Sequence, residues 1–210
     1  IIHHGVDHER FRPRRMAEVQ PTLDELDVQA PYILFISTLQ PRKNVERLIE
    51  AFERLNLTDH TLVIAGRSGW LSEPIERRIS TSVARNRIRR LGHVPDEVIP
   101  ALYNGAAVFT LPSLYEGFGM GVIEAMASGC PVVTSNVSSL PEVASNAAVL
   151  VDPRDSASIA DGIAAALDPD RRGQLVRAGL ERAAQFSWER AARTTLDVVE
   201  QAFRDSHERP

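Results

Sequence analysis

Short apolar runs alternate with amphipathic stretches along this 210-residue chain. After Pro31, residues 32–37 (Tyr-Ile-Leu-Phe-Ile-Ser) form a continuous apolar run, the mark of a strand buried on both faces. A turn over 38–44 leads into a helix with Val45, Leu48, Ile49, Phe52 and Leu55 on one face. Glu46, Glu50, Glu53 and Arg54 fall on the other. The unit then repeats, with a strand at 61–65, a glycine turn at 66–69 and a helix over 73–83. A short strand at 88–91 precedes a helix over 97–104, for which Asp96 is the expected N-cap. Strands at 107–111, at 131–134 and at 147–151 follow, with a helix between the first two and one helical turn at 140–143. Helices over 156–167, 170–185 and 187–203 close the chain, with Asp155 or Ser156 and then Ser187 as candidate caps.

Strands alternating with helices predict parallel βαβ units, hence an α/β fold with a doubly wound, Rossmann-like sheet. Residues 1–30 read differently. Pro13, Pro21 and many charges predict an irregular lead-in with only a weak helical pattern around 23–28.

Composition narrows the picture without deciding it. A hydrophobic share of 43% with 25% charged residues is that of an ordinary globular domain. No apolar run approaches the roughly 20 residues a membrane span needs. A net charge of −4 gives no general attraction to nucleic acid, and the arginine clusters at 10–15 and 85–90 read as solvated faces. Cys130 stands alone, which excludes an internal disulfide. Its apolar setting before Pro131 marks an inert buried thiol. His3 and His4 are adjacent and His93 is isolated, so no zinc-ligand spacing exists and no metal is expected.

In a doubly wound sheet, ligands bind beyond the carboxyl ends of the strands, so the turns there are the places to search. Pro41-Arg42-Lys43-Asn44 opens a helix, and two cations beside free amides attract phosphate. The same turn also reads as a plain solvated basic turn. Gly66-Arg67-Ser68-Gly69 allows close approach of a ligand but is equally an ordinary tight turn. The backbone groups of Gly92-His93-Val94-Pro95 could meet a ligand edge such as a nucleobase, though by itself that segment reads first as an ordinary βα turn. The richest stretch is 111–134. There Gly117, Gly119 and Gly121 precede a helix and offer its amides to a diphosphate or to sugar hydroxyls. Glu116 lies in that turn, and Glu124 in the early helix is placed to bind a vicinal diol. Tyr115 and Phe118 read two ways, as residues that pack the loop down or as rings that stack on a sugar.

These residues resemble the donor-binding half of a retaining glycosyltransferase of the two-Rossmann-domain GT-B type, family 4, closest to its bacterial mannosyltransferase-like members. The likeness runs through 37–44, 64–67, 91–95, 112–119, 124–133, 135–142 and 186–189, with Glu116 and Glu124 in the family's Glu-x7-Glu spacing. It implies a nucleotide-sugar donor, GDP-mannose, and transfer of a hexose to a glycan or lipid-linked acceptor. Lys43 and Arg42 would neutralise the leaving diphosphate without a metal ion or cofactor. The amides of Phe118, Gly119, Met120 and Gly121 would hold sugar and phosphate oxygens. Glu116 would bind the transferred sugar and Glu124 the ribose, with Gly66 and Val94 near the nucleoside.

The sequence also departs from that family. Ser37-Thr38 stands where many relatives carry Gly-Arg, and Gly121 where many carry Pro, which predicts a looser turn. The chain begins at Ile1, not Met, as a processed form or excised piece would. The expected division is an inter-domain linker and lead-in at 1–30, a Rossmann-like nucleotide-sugar-binding domain at 31–186, and a cross-over helix and tail at 187–210. The acceptor domain would precede the linker, leaving this half inactive alone. A cytoplasmic setting with peripheral membrane contact is expected of the full enzyme. Two other readings of the same fold are a nicotinamide-dependent oxidoreductase, which lacks its glycine fingerprint after the first strand, and a non-catalytic nucleotide-binding or interaction module.

Overall fold

The computed structural model describes residues 2–207; Ile1 of the expected linker and residues 208–210 of the expected tail lie outside the described residues. Six parallel strands, β1 (Tyr32–Ile36), β2 (Thr61–Ala65), β3 (Ile88–Gly92), β4 (Val108–Leu111), β5 (Val132–Ser135) and β6 (Val149–Val151), form one sheet in the order β3-β2-β1-β4-β5-β6. Leu34 at its centre pairs with Val63 on one side and Phe109 on the other. All three are fully buried, as the unbroken apolar runs require of a sheet covered on both faces.

The helices explain that order. α2 (Val45–Leu55) and α3 (Glu73–Thr81) carry the chain outward from β1 to β3. After β3 the chain crosses back through α4 (Ile99–Gly105), and α5 (Met120–Ala127) and α6 (Leu140–Ala144) carry it the other way to β6. Right-handed crossovers running in opposite directions place the two helix groups on opposite faces. α2 accordingly packs with α3 and with α7 (Ser156–Leu167), and α4 and α6 pack with α5. Asp155 caps α7 by accepting from Ala157 N–H at 2.8 Å. α8 (Pro169–Ala183) packs on α5 and α7, and α9 (Trp188–His207) begins at Ser187, whose hydroxyl accepts from Arg190 N–H at 3.1 Å.

Two expectations are corrected. The lead-in is not irregular, because α1 (Met16–Glu25) forms with Pro21 inside it and packs on α4. Val19 and Leu23, four apart, are fully buried there, and Phe11 and Val28 join the same core. Burial of that face outweighs the hydrogen bond Pro21 cannot make. Asp96 does not cap a helix over 97–104. A 3-10 turn, Asp96–Val98, runs into α4, and the Asp96 side chain makes no capping bond. Pro100, in the first turn of α4, fits where amide donors have no helical partner.

Candidate active site

β1 and β4 are neighbours in the sheet, and the chain leaves them toward opposite faces. This is the switch point where an open α/β sheet has its crevice. The turn after β1 is a 3-10 turn, Pro41–Lys43, closed by Asn44 in the left-handed region at φ 62°. Asn44 is buried, and its amide donates to Pro112 O at 2.9 Å and Pro153 O at 2.6 Å, tying together the exits of β1, β4 and β6. Leu114 N–H donates to Arg42 O at 2.8 Å, which joins the β1 and β4 turns directly.

Across this joint three predicted residues meet. Lys43 Nζ donates to Glu116 Oε1 at 2.5 Å, and Arg42 Nη1 to Glu116 Oε2 at 2.9 Å. Ser113 Oγ adds a bond to Oε1 at 2.7 Å. Lys43 is 8% and Glu116 7% exposed. Burial alone would raise the Glu116 carboxyl, but the bonds from Lys43, Ser113 and Arg42 outweigh it and hold the group below the usual carboxylate range. Burial pulls Lys43 down, and Glu116 opposes that pull. The outcome is a buried ion pair with an additional guanidinium on its outer oxygen.

The backbone of the Glu116 turn is held from a third element. Ser138 Oγ accepts from Glu116 N–H at 3.1 Å, and Ser139 Oγ lies 2.9 Å from Glu116 O and 2.8 Å from Phe118 O as their donor. Past the turn, α5 begins at Gly119, whose φ of 113° excludes ordinary side chains and which supplies no capping oxygen. The first amides of α5 are therefore uncapped by any side chain at the crevice, and no acidic residue sits in its first turn. An open cavity of about 330 Å³ lies here. It is bounded by Ile36, Ser37 and Lys43 on the β1 side, by Leu111, Glu116, Phe118, Gly119, Met120 and Gly121 on the β4 side, and by His4.

The other predicted residues lie around this cavity. Glu124 does not line it. Its carboxylate accepts from the buried Tyr103 hydroxyl at 3.2 Å. Burial raises its pKa, opposed by the Tyr103 bond and by Arg10, while Asp96 adds to the rise. Val94 is buried. Gly66 is committed within the fold, its N–H donating to Gly92 O at 2.7 Å and its carbonyl accepting from Arg90 Nη1 at 2.7 Å. Phe118 packs the turn down, with ring centroids 5.0 Å from His4, 5.9 Å from Phe186 and 6.0 Å from His3. Tyr115 stays 64% exposed. Gly121 lies in the first turn of α5, where an added Cβ would stand 3.2 Å from both Phe109 Cζ and the Tyr103 hydroxyl. Cys130 is buried, and that burial pushes its thiol up to about 12.

Sequence reasoning missed Asn44, Ser113 as a partner of Glu116, the Ser138–Ser139 cradle and His4. Asn44 and both serine sites fell inside stretches already singled out, but their partners are dozens of residues away, beyond what spacing reports. A second cavity of about 300 Å³ lies between the N-terminal segment and α9, lined in part by His3, Arg182 and Arg190. Arg182 there is committed to the carbonyls of Glu142 and Val143.

Such a fold, with its cations and helix N-terminus at the switch point, is a Rossmann-like domain of the kind that forms the C-terminal half of GT-B glycosyltransferases. Residues 23–182 match the family described as glycosyl transferases group 1, and the chain belongs to that family. It is 39% identical over 193 residues, 90% of its length, to the O-antigen chain mannosyltransferase B of Escherichia coli, of which it covers 51%. It superposes on sucrose-phosphate synthase from Thermosynechococcus elongatus with a TM-score of 0.80, at 29% identity over 96% of this chain and 52% of that one. The C-terminal domain of a group 1 glycosyl transferase (LpcC) from Francisella tularensis matches with a TM-score of 0.74 and 24% identity, covering 86% of this chain and 97% of that domain. The chain thus spans about half the length of the whole enzymes it resembles. The oxidoreductase reading finds no support, since the turn after β1 holds Pro41-Arg42-Lys43 where a dinucleotide fingerprint would need glycines.

Proposed function

We propose that this chain is the donor-binding domain of a retaining hexosyltransferase that transfers mannose from GDP-mannose to a glycan or lipid-linked acceptor. The observation that carries the reading is the convergence of Lys43, Arg42 and Glu116 beside the uncapped start of α5 at the β1/β4 crevice. Lys43 and Arg42 neutralise the diphosphate as it leaves, the role a metal ion fills elsewhere. The amides at the start of α5 hold phosphate and sugar oxygens. Glu116, kept ionised by its partners, accepts from the hydroxyls of the transferred sugar and orients the ring. Glu124, beyond the cavity toward Tyr103, takes the ribose hydroxyls, with Val94 near the nucleoside. Retention follows from attack on the face the phosphate leaves, the leaving phosphate taking the acceptor proton. No side chain forms a covalent intermediate, and the protein contributes positioning and electrostatic stabilisation. The kinship with a mannosyltransferase is what favours mannose as the transferred sugar in this reading.

Acceptor selection belongs to a second domain, toward which α9 returns, and catalysis takes place in the cytoplasm with peripheral membrane contact. Among the described residues no helix is long and apolar enough to cross a membrane. Isothermal titration of the chain with GDP-mannose, UDP-glucose and GDP tests the reading. Binding of GDP-mannose and GDP, with UDP-glucose weaker, is expected; absence of heat with all three overturns it. Glu124→Ala should weaken GDP binding by roughly 1–3 kcal/mol, the cost of losing a charged hydrogen-bonding partner. Unchanged affinity would remove Glu124 from the site.

A further inference from the structure

We propose that His4 is a third wall of the donor site, its imidazole N–H donating to a phosphate oxygen of the diphosphate that Lys43 and the start of α5 also hold. The inference rests on the donor-binding reading above and extends it to a segment far from the site in sequence. Residues 3–8 are pinned in place at several points. His3 Nε2 lies 2.7 Å from Glu142 Oε1, Val6 N–H donates to Phe186 O at 3.2 Å, and His8 Nε2 lies 3.1 Å from the same carbonyl. Gly5 permits the close fit, because a Cβ there would stand 2.1 Å from Trp188 N. Between these anchors the His4 ring meets Phe118 edge-on, at 5.0 Å and 87°, and lies 5.9 Å from Trp188. His4 thereby borders the same cavity as Lys43, Glu116 and Gly119.

The chemistry follows from the walls. Ile36 and Leu111 border the cavity with apolar side chains that offer a phosphate oxygen no hydrogen bond, and Ser37 beside them adds a hydroxyl on the β1 side. Lys43 supplies a cation from the β1 side and α5 supplies amides from the β4 side. Of the residues bordering the cavity, His4 is the one contributed by the N-terminal segment. A tetrahedral phosphate presents oxygens in several directions, and an imidazole N–H on the remaining side adds a charge-assisted bond.

Calorimetric titration of wild type, His4→Ala and His4→Asn with GDP and with GDP-mannose tests this. His4→Ala should weaken both ligands equally, by about ten-fold, as expected for one hydrogen bond to a charged group. His4→Asn, which keeps an N–H donor, should recover most of that loss. Melting temperatures should stay level, because the His4 side chain is exposed. In the wild type, the His4 imidazole resonances should move on adding GDP, with those of His60 as an unmoved control. Full affinity in His4→Ala while the wild type binds would overturn the inference. A loss confined to GDP-mannose would also overturn it, by placing the contact on the sugar. No binding by the wild type would overturn the donor-site reading itself, and this inference with it.

Discussion

At the scale of single residues, the two glutamates of the β4–α5 region are separated by their surroundings and not by their chemistry. Glu116 is buried among donors, with its pKa lowered, so its contribution to stability is present above the unfolded carboxylate value and is lost as pH falls through the folded one. Glu116→Ala leaves Lys43 buried without its carboxylate and should cost roughly 3–5 kcal/mol near neutral pH. Urea denaturation of both proteins across the acid range should show that difference shrinking as pH falls. Glu124 runs the opposite way. Its raised pKa means that ionisation opposes folding, so the stability it permits is present at low pH and declines as pH rises through the folded value. Glu124→Gln should therefore melt higher than wild type at neutral pH, by roughly 2–4 °C for each kcal/mol of relieved ionisation cost. It should nonetheless bind GDP more weakly. Cys130 should resist alkylation in the native protein and react only after denaturation, as a thiol near 12 and 3% exposed requires.

Among the elements, α1 departs most from expectation. Pro21 and the surrounding charges hide a helix whose reason for forming is the contact of Val19 and Leu23 with α4 and the core. Leu23→Ala should therefore destabilise the whole domain by about 2–5 kcal/mol, as in a core position. A shift within the range of an exposed lead-in residue, under about 0.5 kcal/mol, would contradict that role. The turn elements show a related dependence on distant partners. Pro41–Lys43 and the Glu116 turn have their geometry set by Asn44, Leu114, Ser138 and Ser139, so each is held by bonds made to another strand's exit.

For the whole molecule, the N-terminal segment, α1 and the sheet share one contiguous core, from Val6 and Phe11 through Leu34 and Phe109 to Phe186. Unfolding should therefore be a single cooperative transition, with near- and far-ultraviolet circular dichroism coincident. Separate transitions for residues 2–30 would show that the lead-in folds apart from the sheet. Function on this scale is divided. The chain gathers cations, amides and carboxylates at one crevice, the site proposed for a donor, and it covers 51% of the mannosyltransferase it resembles. Donor binding without sugar transfer is the expected behaviour of the chain alone. Incubation with labelled GDP-mannose and a lipid-linked acceptor should yield no labelled product.

Much of this was already written in the linear sequence. The periodicities of 32–37, 45–55, 61–65 and 156–167 place strands and helices within a residue or two, because burial on both faces or on one stripe leaves a local trace. Lys43 and Glu116 could be singled out as candidates from the turns they occupy, but each turn read by itself was also an ordinary one. The tertiary structure alone decided which turns meet. It brought Lys43 and Arg42 onto Glu116, turned Glu124 away toward Tyr103, packed Phe118 down under His4, and folded α1 around its proline. The physical reason is common to all four. A residue's intrinsic preferences act over a few neighbours, whereas desolvation, ion pairing and packing depend on partners that only the strand order brings within reach.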